Sequence, residues 1–158
     1  MAKQSKVRAL EPTDSMRQAA VKILWSRFAD MWALRSSVAK GEDVEAVHDM
    51  RVASRRLRVV MQTFRPCFPK VSYRRHYRCI QQVADLLGEV RDRDVLIEEL
   101  RGDEQRLPPD RRLAVQELIN DLSTERDASR LRLQELLRDL HKNAYDREFI
   151  AYLARQDR

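Results

Sequence analysis

Glycine and proline are scarce in this 158-residue chain, which contains only three glycines and five prolines. Sheets joined by tight turns need glycine, so this scarcity disfavours a β fold, whereas the abundant leucine, alanine, arginine, glutamate and glutamine favour helix. Three glycines also cannot build a glycine-rich phosphate-binding loop. The length fits one domain, which is large enough to bury a core without disulfides or metal ions.

Long apolar runs are missing, and none approaches the roughly 20 residues that a transmembrane helix requires. The first ten residues, MAKQSKVRAL, contain no apolar stretch of the secretory type, so we expect a cytoplasmic protein with no membrane partner. Cys67 and Cys79 stand outside any CxxC pattern, which indicates reduced, structural thiols.

Patterns for metals and for catalysis are also missing. Glu45 and His48 match one half of a ferritin-like di-iron motif, but neither His76 nor His141 has a glutamate three residues before it. The histidines and cysteines have no zinc-ligand spacing, and no Ser-His-Asp or Cys-His arrangement is indicated. The sequence therefore predicts a non-enzymatic protein without metal or cofactor.

Hydrophobic residues recur at helical spacing in five segments. The prediction is an all-α fold, an antiparallel four-helix bundle with a short extra C-terminal helix, preceded by a disordered polar tail over residues 1–12. The signal Pro12-Thr13-Asp14 starts the first helix, Gly41 ends it and Asp43 caps the next. The predicted helices end near 40, 65, 100, 141 and 154, and the fourth is expected to bury Leu113, Leu118, Leu122, Leu133, Leu136, Leu137 and Leu140.

Positive charge is concentrated in one part of the chain. Residues 50–84 contain nine lysines or arginines and no aspartate or glutamate, within a chain whose net charge is +6. A focused basic patch implies an anionic partner. The second predicted helix carries His48, Arg51, Arg55 and Arg58 at spacings of three, four and three, which place them on one side, opposite the apolar face. Arg56 lies on the flank of this basic stripe.

Arginine suits phosphate because its planar guanidinium donates two parallel hydrogen bonds and stays charged. A histidine at the end of the stripe can donate to phosphate and become protonated when the anion arrives. The alternative is an ordinary solvated basic face, with one or two arginines paired to acids of a neighbouring helix. The absence of acidic residues from 50–84 favours an anion-binding site over an ordinary solvated face.

The third predicted helix adds Arg74 and Arg78 on a shared face. These residues either line one groove together with the basic stripe or only cover the end of the helical hairpin. Further along, Arg91 and Asp94 continue the apolar face of the same helix, where a charge is rarely left unpaired. We favour a structural ion pair near the end of the bundle, with anion contact by Arg91 as the alternative.

Two strings, GEDVEAVHDMRVASRRLRVVMQTFRPCFP and LLGEVRDRDVLIEEL, resemble the CHAD family, the conserved histidine α-helical domain. The resemblance covers most of the chain and places the family's histidine at His48. It implies a helical domain that binds inorganic polyphosphate, often on polyphosphate granules in bacteria. Carried over to matching positions, the implied polyphosphate contacts are His48, Arg51, Arg55, Arg56, Arg58, Arg74 and Arg78.

Similar proteins usually carry two four-helix halves around one shared groove, and this sequence matches the first half. The resemblance therefore implies either a fragment or two copies that pair to rebuild the groove, and we predict a homodimer.

Two other functions compete with polyphosphate binding. A nucleic-acid-binding helical protein would use the same cations, but the basic segment has few aromatic residues for stacking and little Asn or Gln for reading base edges. A metal-dependent phosphatase or triphosphatase would need carboxylates beside the basic groove, and residues 50–84 supply none.

Overall fold

The computed structural model describes residues 7, 10–41 and 44–157, and only the backbone of Val44. Across these residues the regular secondary structure is helical, which confirms the all-α prediction. The elements are α1 (Met16–Trp32), α2 (Arg35–Lys40), α3 (Val44–Phe64), a 3-10 turn (Arg65–Cys67), α4 (Lys70–Glu104), α5 (Pro109–Lys142) and α6 (Tyr145–Gln156). The predicted cap Asp43 and most of the predicted disordered tail lie outside the described residues.

The start of α1 is fixed by a capping box. The Ser15 hydroxyl accepts from the Gln18 backbone N–H at 3.2 Å, and the Gln18 side chain accepts from the Ser15 N–H at 2.9 Å. These two bonds satisfy donors that the first helical turn leaves unpaired. Helix α2 ends at Gly41, whose backbone is in the left-handed conformation with φ 73°. The sequence predicts this stop.

The prediction of one continuous helix up to Lys40 is wrong, because the chain turns at Ala33 and Leu34. Helix α1 packs against α3 and α6, whereas α2 packs against α5 and α3. The turn lets the short second helix bury Val38 against different neighbours. Neither residue at the turn is a glycine or a proline, so local sequence carries no sign of it.

The helices form a closed ring around one core. Helix α3 lies between α1 and α4, α4 lies between α3 and α5, and α6 closes the ring by contacting α5 and α1. No helix in the described ranges is both long and apolar enough to cross a membrane. The largest fully buried side chains come from five of the helices: Leu24, Phe28, Met31, Met50, Leu57, Met61, Ile80, Leu87, Leu133, Leu137, Phe149 and Leu153.

Helix α5 buries only part of the predicted leucine face. Leu133 and Leu137 are fully buried, but Leu113 and Leu118 are exposed, which corrects the prediction for the first half of this helix. In that first half of α5 the buried hydrophobic residue is Ile119, and Ile97 is buried on α4. The end of α4 and the start of α5 are joined by a short turn, and few residues of the first half of α5 are buried, so this half covers only a narrow apolar strip.

Helix α6 is held by aromatic packing. Phe149 is fully buried, with its ring centroid 4.6 Å from that of Phe28 and 5.1 Å from that of His76. Burial among these rings lowers the pKa of His76 and raises the pKa of the Tyr145 hydroxyl. His76 is therefore a core residue, and its burial favours the neutral imidazole.

Candidate anion-binding site

An open cleft of about 680 Å³ runs between α3 and α4. Its floor includes small residues from both helices, namely Ser54, Ala84 and Gly88. The Ser54 hydroxyl donates to the Arg51 carbonyl at 2.9 Å, and a Cβ built on Gly88 would meet no neighbouring atom within 4 Å. Small side chains at facing positions leave a trough that larger ones would fill.

Three of the sequence-predicted residues, Arg51, Arg55 and Arg58, line this cleft together. They share the side of α3 that faces away from the buried Met50, Leu57 and Met61, as helical spacing predicts. From Arg51 to Arg58 the cations extend over ~10 Å at ~1.5 Å per residue. The cleft therefore presents a row of guanidiniums on a rigid helix.

Carboxylates on α4 form part of the opposite wall, which corrects the expectation of a groove without acids. Arg51 lies 3.4 Å from Asp92, and Arg58 lies 3.6 Å from Asp85. Both aspartates are more than half exposed, at 72% and 57%. Exposed ion pairs of this length contribute at most ~1 kcal/mol and weaken with salt, so an anion with several charges can displace them.

The third carboxylate of that wall, Glu89, is held by α5. It accepts hydrogen bonds from the Ser129 hydroxyl at 2.9 Å and from Arg132 at 2.7 Å. Arg93, also in the cleft, pairs with Glu125 at 3.0 Å. These contacts fix the α4 side of the cleft against the next helix.

Arg55 differs from its neighbours because it is exposed and forms no ion pair within the described part of the chain. His48 and Arg56 are half-buried and are not among the residues that line the cleft. The His48 Nδ1 atom is enclosed and has no hydrogen-bond partner in the described structure. Arg55 is thus the most available arginine of the cleft, and His48 lies outside the cleft lining.

Arg74 and Arg78 lie beyond the cleft. Arg74 lines a second concavity where α3 turns into α4, and Gln62 lines both this concavity and the cleft. Arg78 lies with Arg74 and Arg75 on a separate shallow surface of α4. Arg74 therefore lies in a concavity that adjoins the cleft at Gln62, while Arg78 lies outside both concavities.

Sequence reasoning missed two further cations, Arg65 and Lys70, which line the second concavity beside Arg74. Both lie in the acid-free segment 50–84, which is the sequence signal that could have identified them. Arg65 lies in the 3-10 turn after α3, so a projection at 100° per residue does not place it correctly.

The segment Arg91–Asp94 is mainly structural. Asp94 is 9% exposed and lies 3.5 Å from Arg126 of α5, and Arg93 also pairs with α5, as described above. The predicted structural ion pair therefore exists for Asp94, with a partner on the next helix, whereas Arg91 forms no ion pair within the described residues. Asp92 instead faces Arg51 across the cleft.

Comparison with known proteins agrees with this architecture. The model of the CHAD domain matches residues 22–158, which include all of the helices except the first turns of α1. Searches of curated proteins and of solved structures gave no match. Because the family model covers most of the chain, this protein belongs to the CHAD family.

Proposed function

We propose that this protein binds inorganic polyphosphate in the cleft between α3 and α4, without catalysing a reaction on it. The observation that carries the proposal is the row of Arg51, Arg55 and Arg58 along an open trough, with Arg55 in no ion pair among the described residues. Polyphosphate repeats its charge along a flexible chain, so successive phosphates can contact successive guanidiniums. The family is also associated with polyphosphate binding.

Titration with polyphosphates of graded length, followed by calorimetry, tests the proposal. Affinity should rise with chain length until the chain covers the cleft. For about five neutralised phosphates it should fall roughly 100-fold between 50 and 200 mM salt, because counterions are released on binding. Affinity that is independent of both length and salt would contradict the proposal, and steady release of phosphate above a buffer control would revive the triphosphatase alternative.

The carboxylates of the cleft provide a second test. Changing both Asp85→Asn and Asp92→Asn should tighten polyphosphate binding about threefold or more, because each carboxylate occupies an arginine and repels the incoming anion. The matched control is the double variant Glu135→Gln and Asp139→Asn at exposed positions of α5, which removes the same two negative charges outside the lining of the cleft. Unchanged or weaker binding of the double variant, measured in the same titration, would place the polyanion elsewhere.

We also propose that two copies of the chain pair so that their clefts face one polyphosphate, as the family resemblance implies. We further propose that the protein resides in the cytoplasm on polyphosphate granules. Light scattering of the purified protein should give twice the 18.7 kDa chain mass. A monomer that binds polyphosphate with full affinity would contradict the pairing.

A further inference from the structure

The second concavity, about 350 Å³ in volume, differs in chemistry from the cleft beside it. Its lining includes the fully buried Met61, the buried Tyr73 and the half-buried Tyr77. The Tyr73 hydroxyl donates to the Met61 carbonyl at 2.6 Å, and the Gln62 amide donates to the Tyr77 hydroxyl at 2.8 Å. Two tyrosine rings are thus held in place around a small, largely apolar depression.

Cations surround this tyrosine pocket. Arg65, Lys70 and Arg74 are exposed, and none of them forms an ion pair within the described ranges. The α3 arginines of the cleft lie further along the same helix. Gln62 belongs to both concavities, and Arg58 is one helical turn, ~6 Å, away from it on α3.

We propose that the tyrosine pocket binds the base of a nucleoside polyphosphate, whose phosphates extend over the surrounding cations toward Arg58. This inference rests on the proposed function, since it uses the same arginines for the phosphates. Inorganic polyphosphate has no apolar surface and would leave the half-buried ring of Tyr77 uncovered, whereas a planar base gains by stacking on an aromatic side chain.

The rest of the cleft favours a single nucleotide over a nucleic-acid strand. Single-stranded DNA and RNA are bound on successive aromatic side chains, one for each stacked base. The cleft beyond Gln62 is lined by arginines, aspartates, Glu89 and small or aliphatic residues, with no aromatic side chain among them. One base can therefore stack, and the groove continues as a surface for phosphates alone.

The test compares ATP with inorganic tripolyphosphate by calorimetry in magnesium-free buffer. Tripolyphosphate carries at least as much negative charge as ATP, so charge alone predicts that it binds as tightly or more tightly. We expect ATP to bind roughly tenfold more tightly, as one base–aromatic stack provides. Equal or weaker binding of ATP overturns the inference, while the length titration above independently tests polyphosphate binding.

Two single variants test where the base of the nucleotide binds. Tyr77→Leu keeps an apolar side chain but removes the aromatic face, so it should reduce ATP affinity to that of tripolyphosphate and leave tripolyphosphate binding unchanged. Arg58→Ala is the matched control and should weaken both ligands equally, because the phosphates of each are placed at this residue. Equal loss of both ligands in Tyr77→Leu would mean that the tyrosine only supports the fold, and would overturn the inference.

A measurement on the unaltered protein covers the case in which the variant does not fold. Nuclear Overhauser contacts are expected between the adenine protons and the ring protons of Tyr77. Their absence at saturating ATP overturns the proposal. An adenine trinucleotide that binds more tightly than ATP also overturns it, in favour of a single-strand site.

Discussion

Replacing Arg51, Arg55 and Arg58 together by alanine is expected to weaken polyphosphate binding on the order of 1000-fold, with the fold retained. Each guanidinium would donate charge-assisted hydrogen bonds to phosphate, at about 1.5 kcal/mol or more per residue, and about 1.4 kcal/mol corresponds to a tenfold change in affinity. The three side chains line an open cleft, and the ion pairs that two of them form are with exposed aspartates. Calorimetric titration of both proteins with the same long polyphosphate measures the loss.

The matched control is the triple variant Arg111→Ala, Lys142→Ala and Arg147→Ala. These three residues are exposed on α5 and α6, away from the cleft, and their removal lowers the net charge by the same amount. If both triple variants lose affinity equally, binding depends on overall charge and the cleft has no special role. Far-UV circular dichroism measures the helix content of both variants. If only the cleft variant unfolds, the three arginines are needed for the fold.

Phe149→Ala should have the largest effect on stability of any single change in α6. This ring is fully buried against Phe28 and His76, and removing such a ring from a packed core costs about 3–5 kcal/mol. Urea unfolding followed by circular dichroism gives the change in free energy. Because α6 does not line the cleft, the folded fraction should keep its affinity for polyphosphate.

The neighbouring residue supplies the control for this experiment. Ile150 follows Phe149 on α6 and is 40% exposed, so Ile150→Ala should cost less than about 1 kcal/mol. A similar, small cost for both variants would mean that α6 is not docked on α1 as the structure has it.

Helical periodicity explains why the positions of the helices and the arginine row were predictable. The apolar and the cationic residues of α3 each recur at spacings of three and four, so burying Met50 and Leu57 leaves Arg51 and Arg58 on a face that lines the cleft. The same reasoning failed for Leu113, because periodicity gives the apolar face of a helix but not how much of that face a neighbour covers.

The sequence alone determined an all-helical chain, its main helix boundaries and a rigid row of arginines in an acid-free segment, because these properties depend on residues close to one another along the chain. Only the tertiary structure decided what faces that row. The register of α4 against α3 brings Asp85 and Asp92 opposite the arginines, and the hairpin gathers Arg65 and Arg74 around the tyrosine pocket. These juxtapositions depend on how two helices pack, and the side-chain volumes at their facing positions set that packing.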